Sequence, residues 1–226
     1  MMRMSRKTSC ISGLYAITPD CANTDTLISL SRQALAGGAR ILQYRNKSAS
    51  PALRVEQAAA LRKLTREFSA AYIVNDDAQL AAHVGAEGVH LGADDGSLAQ
   101  ARTLLGPDKI IGCSCYNRLS LAHQAVDAGA DYVAFGAFFR STVKPGAAVA
   151  DQQLLRQARN ELTIPIVAIG GINHGNGKPL IDAGADMLAV VSALFAAPDI
   201  TAAARAFSSM FDPAGQPKNE LLLTRT

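Results

Sequence analysis

Two short polar segments, each at the end of an apolar run, carry the side chains best suited to chemistry. The first presents Gln43, Arg45 and Lys47 at alternate positions, which places their side chains on one face of an extended chain. Two cations and an amide on one face predict a site for a polyanion. The second segment, Asn75-Asp76-Asp77, offers the carboxylate ligands that a hard cation such as Mg²⁺ prefers. Together the two segments predict a diphosphate bound as its magnesium complex.

Length and composition fit one enzyme domain. The chain has 226 residues, 49% of them hydrophobic, which is enough for one sizeable core. A net charge of +3 and the lack of a basic stripe with interleaved aromatic residues argue against nucleic-acid binding. The sequence has no long apolar span and no signal-peptide core, so we expect a cytoplasmic protein with small-molecule substrates and no membrane partner. Oligomeric state is left open, with a homodimer as one option.

The four cysteines, Cys10, Cys21, Cys113 and Cys115, form no CxxC pair. Cys113 and Cys115 alternate in a strand-like run and are expected to share a face. We interpret them as small core hydrophobes, with metal or redox chemistry as the alternative. Reduced cysteines fit the expected cytoplasmic location.

A recurring pattern of helix end, glycine stop and apolar strand predicts the fold. Gly-Ala pairs mark it at Gly38, Gly85, Gly129 and Gly184. With the apolar runs between them, eight strands are expected, starting near residues 14, 41, 72, 88, 110, 132, 166 and 187. Segments with helical spacing of apolar residues separate the strands. The chain is therefore predicted to be an α/β protein, a single-domain (β/α)8 TIM barrel over residues 12–212 with flexible tails at 1–11 and 213–226. A doubly wound open sheet is the alternative.

In such a barrel the active site lies at the carboxyl ends of the strands, and polar residues follow the strands here. Asp76 and Asp95 follow neighbouring strands and can bind one Mg²⁺, while Asp77 is expected to cap the next helix. Gly170-Gly171 and Val191-Ser192 follow the seventh and eighth strands, where barrels usually bind phosphate. A simple tight turn is the alternative for the glycine pair.

His90 and the polar run 141–144 also follow strands. His90 is either a general base or a buried, hydrogen-bonded strand residue. The run from Ser141 to Lys144 can contact either anion. A metal-assisted diphosphate site and a monophosphate site in one barrel mouth predict displacement of pyrophosphate by a phosphate-bearing nucleophile.

As a set, these motifs resemble the thiamine-phosphate synthase (thiamine-phosphate pyrophosphorylase) family over nearly all of residues 13–212. The set comprises Gln43-x-Arg45-x-Lys47, Asn75-Asp76-Asp77, His90-x-Gly92 with Asp95, Gly170-Gly171-Ile172 and Val191-Ser192. The resemblance implies a transferase of thiamine biosynthesis. Such an enzyme joins hydroxymethylpyrimidine diphosphate to thiazole phosphate, or its carboxylated form, and releases pyrophosphate. It also implies Mg²⁺ as cofactor and a dissociative mechanism, in which the C–O bond breaks before the thiazole nitrogen attacks.

The resemblance implies a role for each site residue. Those expected to be catalytic are Arg45, Lys47, Ser114 and Lys144, and those expected to bind the metal are Asp76 and Asp95. Substrate contacts are expected from Gln43, Tyr44, Arg45, Asn46, Lys47, Asn75, Ser114, Ser141, Thr142, Val143, Lys144, Gly170, Gly171, Val191 and Ser192.

One segment departs from the family's pattern. The loop after the sixth strand commonly reads Thr-x-Thr-Lys or Ser-x-Thr-Lys in the family, whereas this chain has Ser141-Thr142-Val143-Lys144. Val143 has no hydroxyl, so we predict weaker binding of thiazole phosphate unless Thr142 or Arg140 compensates.

Two other functions stay open. One is the thiazole tautomerase branch, which resembles this family in fold and phosphate site. The other is a non-catalytic sensor of a phosphate ligand. Neither rival needs a diphosphate–metal site, so the combination of both motifs with Asp95 favours the synthase.

Overall fold

The protein is described by a computed structural model that covers residues 11–92, 95–139 and 150–212. Eight parallel strands close into one barrel in chain order, and β1 pairs with both β2 and β8. The prediction of a single-domain (β/α)8 barrel is therefore confirmed, and the alternative of an open sheet is wrong.

The strands begin at or next to the predicted positions. They are β1 (Gly13–Ile17), β2 (Ile41–Tyr44), β3 (Ala71–Asn75), β4 (Gly88–Leu91), β5 (Ile110–Tyr116), β6 (Tyr132–Phe135), β7 (Ile166–Ile169) and β8 (Met187–Val190). The register between β5 and β6 shifts between Ser114 and Tyr116. This irregularity lies at the carboxyl end of β5, beside the expected site.

Helices follow the strands and form the outer layer. They are α1 (Thr24–Ala36), α2 (Pro51–Glu67), α3 (Ala78–Val84), α4 (Leu98–Leu105), α5 (Leu119–Asp127), α6 (Gln152–Glu161), α7 (Lys178–Asp182), α8 (Ser192–Phe195) and α9 (Ile200–Ser208). Ser50 and Asp151 cap α2 and α6, because each side chain accepts a hydrogen bond from the backbone N–H three residues later. Pro51 occupies the first turn of α2, where its missing N–H is harmless.

Alternation along the strands divides the core into two parts. Inward residues such as Tyr15, Ile73 and Val167 fill the barrel, and outward residues such as Leu42 and Val89 pack under the helices. Large side chains therefore fill the interior, and a site can open only at the ends of the strands.

Cys113 and Cys115 both pack in the layer between barrel and helices, and both are free thiols. Their interpretation as core residues sharing a face is confirmed. Cys10 lies outside the described residues.

Ile11 was predicted as the last residue of the N-terminal tail, but it is buried among the interior residues of the barrel with 4% exposure. The rest of that tail, and the whole of 213–226, lie outside the described residues. Within the described part of the chain, no helix is long and apolar enough to cross a membrane.

Candidate active site

A cavity of about 300 Å³ opens at the carboxyl ends of the strands, and we call it the mouth cavity. The residues from the predicted site that line it are Gln43, Arg45, Lys47, Asn75, Asp76, Asp95, Ser114 and Val191. Side chains from five strands and their loops thus converge where a barrel places its chemistry. Tyr15, His90 and Tyr116 also line it.

The alternation expected along β2 is present. Gln43, Arg45 and Lys47 reach the mouth cavity, whereas Tyr44 and Asn46 face the helix layer. The Tyr44 hydroxyl donates to Gln57 Oε1 at 2.9 Å, and Asn46 Nδ2 donates to the same oxygen at 3.0 Å. The predicted substrate contacts of Tyr44 and Asn46 stay a prediction, and the side chains of both residues lie outside the mouth cavity. The period of two turns them away from the mouth and makes them supports of β2.

The end of β1 holds the segment that carries the two cations. Thr18 Oγ1 donates to the carbonyl oxygen of Arg45 and accepts from its backbone N–H, both at 2.9 Å. Asp20 accepts from the backbone N–H of Lys47 at 3.1 Å and lies 3.5 Å from the Arg45 guanidinium. The sequence alone does not indicate this role for Thr18 and Asp20. They fix the backbone from which the cations project.

Two carboxylates and a cation form the electrostatic centre of the site. Lys47 Nζ lies 3.7 Å from Asp76 Oδ2. Burial, a hydrogen bond with Asp95 and repulsion from its charge raise the pKa of Asp76, while Lys47 and Asn75 act in the opposite direction. Asp95 Oδ2 also accepts from the backbone N–H of Gly92 at 2.8 Å. Two close carboxylates with one partly exposed lysine leave negative charge that a cation can neutralise.

The backbone at Asp76 is unusual. Its φ is +64°, a left-handed conformation in which Asp and Asn are enriched among residues with a side chain. Asp77, the next residue, caps α3 by accepting from the backbone N–H of Leu80 at 2.8 Å, and its other oxygen contacts Arg54 at 3.2 Å. As expected, Asp77 caps the helix. Asp76 therefore remains free to face the mouth cavity.

The donor set fits a hard divalent cation. Asp76 and Asp95 supply carboxylate oxygens at the ends of adjacent strands, and Mg²⁺ is usually bound by one or two carboxylates plus water and substrate phosphates. Within residues 11–92, 95–139 and 150–212, no group of three or more His, Cys, Asp or Glu side chains could hold a metal. A cation bound by Asp76 and Asp95 would complete its coordination with water and substrate oxygens. Asp94 lies outside the described residues.

A second cavity, of about 430 Å³, lies beside the first and shares Asp76 and Asp95 with it. Its lining also includes Arg54, Gln79 and Gln100, which come from α2, α3 and α4. The mouth cavity is the better candidate because it is lined by inward strand residues and by both cations of the β2 segment.

A buried chain of hydrogen bonds crosses the barrel beneath the mouth cavity. Gln43 Nε2 donates to the Tyr15 hydroxyl at 2.7 Å, and the hydroxyls of Tyr15 and Tyr132 are 2.8 Å apart. Tyr132 then contacts His90 Nδ1 at 2.9 Å, and His90 Nε2 contacts Ser114 Oγ at 2.8 Å. Tyr15 and Tyr132 could not be recognised from the sequence, because a tyrosine in a strand is usually an ordinary core residue.

These buried groups stay neutral. Burial lowers the pKa of His90 to about 4, against a smaller opposing effect of the Asp95 charge. Burial also raises the pKa of Tyr15 and Tyr132, so both hydroxyls keep their protons. The interpretation of His90 as a buried, hydrogen-bonded strand residue is confirmed.

The opposite side of the mouth is formed by the ends of β7 and β8. Gly170 and Gly171 have φ values of +100° and +64°, and a Cβ at Gly170 would lie 2.4 Å from that of Ala137. Glycine is therefore required here by the turn and by the close approach of the segment after β6. Val191 lines the mouth cavity and Ser192 starts the short helix α8 directly after β8. Ser141, Thr142, Val143 and Lys144, together with Arg140, lie outside the described residues.

The fold and the residues around its mouth define a (β/α)8-barrel enzyme with its active site at the carboxyl ends of the strands. The thiamine monophosphate synthase family profile matches residues 14–194. A thiamine-phosphate synthase of Methylobacillus flagellatus is 57% identical over 202 residues, 89% of this chain and 96% of that protein. A thiamine-phosphate synthase of Nitrosospira multiformis is 53% identical over 201 residues, covering 89% and 86%.

Solved structures agree with this result. A thiamine phosphate pyrophosphorylase from Pyrococcus furiosus superposes with a TM-score of 0.80 at 33% identity, covering 91% of this chain and 97% of the other. A 3-hexulose-6-phosphate synthase, at 19% identity and a TM-score of 0.65 over 88% and 99%, shares the fold alone. The chain belongs to the thiamine monophosphate synthase family. The predicted family and the prediction of a transferase of thiamine biosynthesis are confirmed.

Proposed function

We propose that this protein joins 4-amino-2-methyl-5-hydroxymethylpyrimidine diphosphate to thiazole phosphate, or its carboxylated form, giving thiamine phosphate and pyrophosphate. The observation that carries the proposal is the convergence of Arg45 and Lys47 with Asp76 and Asp95 at the ends of three adjacent strands. A magnesium diphosphate needs cations and carboxylates together. A plain monophosphate has no use for the two carboxylates.

In this proposal the diphosphate lies against the ends of β2, β3 and β4. Arg45 and Lys47 bind its oxygens and stabilise the charge that grows on the leaving group. Asn75 and Ser114 donate hydrogen bonds from the same side, and Lys144 adds a further cation. Mg²⁺ held by Asp76 and Asp95 would neutralise part of the diphosphate charge.

The reaction then needs no protein nucleophile. The C–O bond breaks first, and its electron pair leaves with the pyrophosphate. Positive charge remains on the methylene carbon and is spread over the pyrimidine ring, which Gln43 orients. The thiazole nitrogen then forms the new C–N bond.

The thiazole phosphate would bind across the mouth, near the Gly170-Gly171 turn, Val191 and Ser192, with the run 141–144 beside it. This position lies opposite the diphosphate site. It suits in-line approach of one substrate toward the carbon that the other releases.

The remaining expectations also stay proposals. We propose a cytoplasmic location, partners limited to small-molecule substrates, and a homodimer as the assembly to test first. Cell fractionation and sedimentation velocity would check location and assembly.

The deciding experiment is pyrophosphate release by the purified protein from the two substrates, with and without Mg²⁺. Release that requires both substrates and the metal, with thiamine phosphate forming in step, supports the proposal. Isomerisation of a thiazole phosphate without pyrophosphate release would indicate the tautomerase, and binding of thiazole phosphate without any turnover would indicate the sensor. Either of the last two results would overturn it.

A further inference from the structure

The donors and acceptors of the hydrogen bonds beneath the mouth cavity can be assigned one after another from Gln43 onward, because each buried polar hydrogen needs an acceptor. Four contacts join the side chains of Gln43, Tyr15, Tyr132, His90 and Ser114. Each contact needs one hydrogen. The amide of Gln43 supplies the hydrogen of the first contact, so the Tyr15 oxygen already accepts there.

The other contact of the buried Tyr15 hydroxyl is Tyr132, so a hydrogen-bonded Tyr15 proton points to Tyr132, and the Tyr132 proton then points to His90 Nδ1. A neutral imidazole that accepts at Nδ1 carries its proton on Nε2. His90 Nε2 then donates to Ser114 Oγ, which leaves the Ser114 hydroxyl proton free for the cavity. A doubly protonated His90 would donate from Nδ1 to Tyr132, turn the Tyr132 proton toward Tyr15 and leave the Tyr15 proton unpaired, in a part of the barrel where Tyr15 and Tyr132 are at most 1% exposed.

We propose that this chain of hydrogen bonds from Gln43 to Ser114, which we call the relay, makes Tyr132 a positioning residue. Tyr132 holds His90 as the Nε2–H tautomer, and this tautomer makes the Ser114 hydroxyl a donor to the ligand. The ligand group beside Ser114 is accordingly a hydrogen-bond acceptor, such as an anionic oxygen or an unprotonated ring nitrogen. Only the identity of that group rests on the proposed function, since the relay lies entirely within the protein.

The geometry around Tyr132 supports this role. Its ring stacks on His90, with centroids 5.6 Å apart and an interplanar angle of 20°, and meets the ring of Tyr15 edge-on at 6.1 Å. The register places Gly112 of β5 beside both His90 and Tyr132, and a Cβ at Gly112 would overlap the Tyr132 ring. The ring is thus held on several sides, and its hydroxyl stays between Tyr15 and His90.

The first test is nitrogen NMR of the full-length protein labelled with ¹⁵N-histidine, without substrate. The chain has four histidines, and loss of one set of signals in His90→Asn assigns His90. We expect a protonated Nε2 and an unprotonated Nδ1 at neutral pH. A protonated Nδ1, or two protonated nitrogens, would overturn the proposal.

The second test reverses the direction of the hydrogen bonds by a substitution at Gln43, the end of the relay away from Ser114. In Gln43→Glu, at a pH high enough to ionise the new carboxyl group, the carboxylate can only accept, so Tyr15 donates to it, Tyr132 donates to Tyr15, and His90 becomes the Nδ1–H tautomer. This switch, passed through two tyrosines, is not expected if the His90 tautomer is set only by its immediate surroundings. An unchanged tautomer in Gln43→Glu would contradict the relay.

The third test separates positioning from packing. Tyr132→Phe should abolish the single-tautomer signature and lower kcat/KM about tenfold, the size expected for one neutral hydrogen bond. Tyr72→Phe is the matched control, because Tyr72 is equally buried but its hydroxyl donates to the carbonyl of Ala58, away from the relay. It should leave the His90 signals and kcat/KM unchanged, and equal effects of both variants would overturn the proposal. The NMR results need no substrate, so they stand apart from any failure of the proposed reaction.

Discussion

Tyr132 on β6 occupies the space that a side chain at Gly112 on β5 would need. The two residues are register partners, and a Cβ at Gly112 would lie 1.9 Å from Tyr132 Cζ and 2.3 Å from its hydroxyl oxygen. The Tyr132 hydroxyl can therefore reach the barrel interior only because residue 112 on the neighbouring strand has no side chain.

Gly112→Ala should consequently destabilise the protein by about 1–3 kcal/mol, the usual cost of overpacking a filled core. Urea unfolding followed by circular dichroism measures this change. Gly85→Ala is the control, because a Cβ there meets nothing within 4 Å and only the positive φ opposes it. That strain costs roughly 1 kcal/mol. A smaller loss in Gly112→Ala than in Gly85→Ala would contradict the steric argument.

Asp76→Asn should make the metal-free protein more stable at neutral pH. The raised pKa of Asp76 means that the folded protein holds this proton more tightly than the unfolded chain does. The ionised carboxylate therefore opposes folding above the ordinary range of an aspartate pKa, and this effect disappears as the pH falls through that range. Asn also tolerates the left-handed backbone at this position. Thermal unfolding across a pH series should show a gain that shrinks on acidification.

The same variant tests the proposed metal site. Mg²⁺ should raise the midpoint of thermal unfolding of the wild type and leave that of Asp76→Asn unchanged, because a bound ligand stabilises the folded state. Asp77→Asn keeps a capping oxygen for α3 and should respond to Mg²⁺ like the wild type. Equal responses of wild type and Asp76→Asn would remove Asp76 from the metal site.

Thr18→Val should lower stability and weaken binding of the pyrimidine diphosphate. The variant keeps the shape of the side chain but removes both hydrogen bonds to the backbone of Arg45. Leaving a buried donor and acceptor unpaired costs about 1–3 kcal/mol, and misplacement of Arg45 should raise KM for the pyrimidine diphosphate. Thr18→Ser retains the hydroxyl, so its stability and its KM should lie close to those of the wild type. Steady-state kinetics with unfolding curves decide whether stability and KM change together.

Lys47→Ala should abolish turnover while the barrel stays folded, because the Lys47 side chain is 61% exposed and contacts Asp76 rather than the core. Tyr44→Phe should lower stability and leave turnover nearly unchanged, since it removes a buried hydrogen bond to Gln57 but no group from the mouth cavity. We expect kcat/KM of Tyr44→Phe to stay within about twofold, with stability lower by roughly 1 kcal/mol. Near-normal turnover of Lys47→Ala would argue against the assigned diphosphate site.

Val143→Thr should lower KM for thiazole phosphate. Val143 lies outside the described residues, so this expectation rests on the sequence, where a hydroxyl usual for the family is missing. Val143→Ala is a suitable control, because it changes size without adding a hydroxyl. An unchanged KM in Val143→Thr would indicate that another group already binds that oxygen.

The fold could be predicted from the sequence because its signals are local and repeated. Glycine stops such as Gly85 and Gly129, and caps such as Ser50 and Asp151, mark where each helix begins or ends. The alternation of Gln43, Arg45 and Lys47 likewise depends only on neighbouring residues. The same alternation explains why Tyr44 and Asn46, which stand inside the motif, turn their side chains toward the helix layer.

The relay could not be predicted, because its contacts join residues far apart in the chain. Tyr15 and Tyr132 belong to strands that are not neighbours, and only the closed barrel brings their hydroxyls together. Thr18 and Asp20 show the same limit. Their effect on Arg45 and Lys47 depends on the register of β1 against β2, which no short segment encodes.

The pairing of β8 with β1 has a consequence for synthesis on the ribosome. Met187 pairs with Gly13, so the barrel closes only after β8 has been synthesised and has left the exit tunnel. Val191, just beyond that last strand, lines the same cavity as Gln43 and Arg45. A nascent chain that stops before β8 can therefore not assemble the complete mouth, and both substrates can be held together only once the last strand has paired with the first.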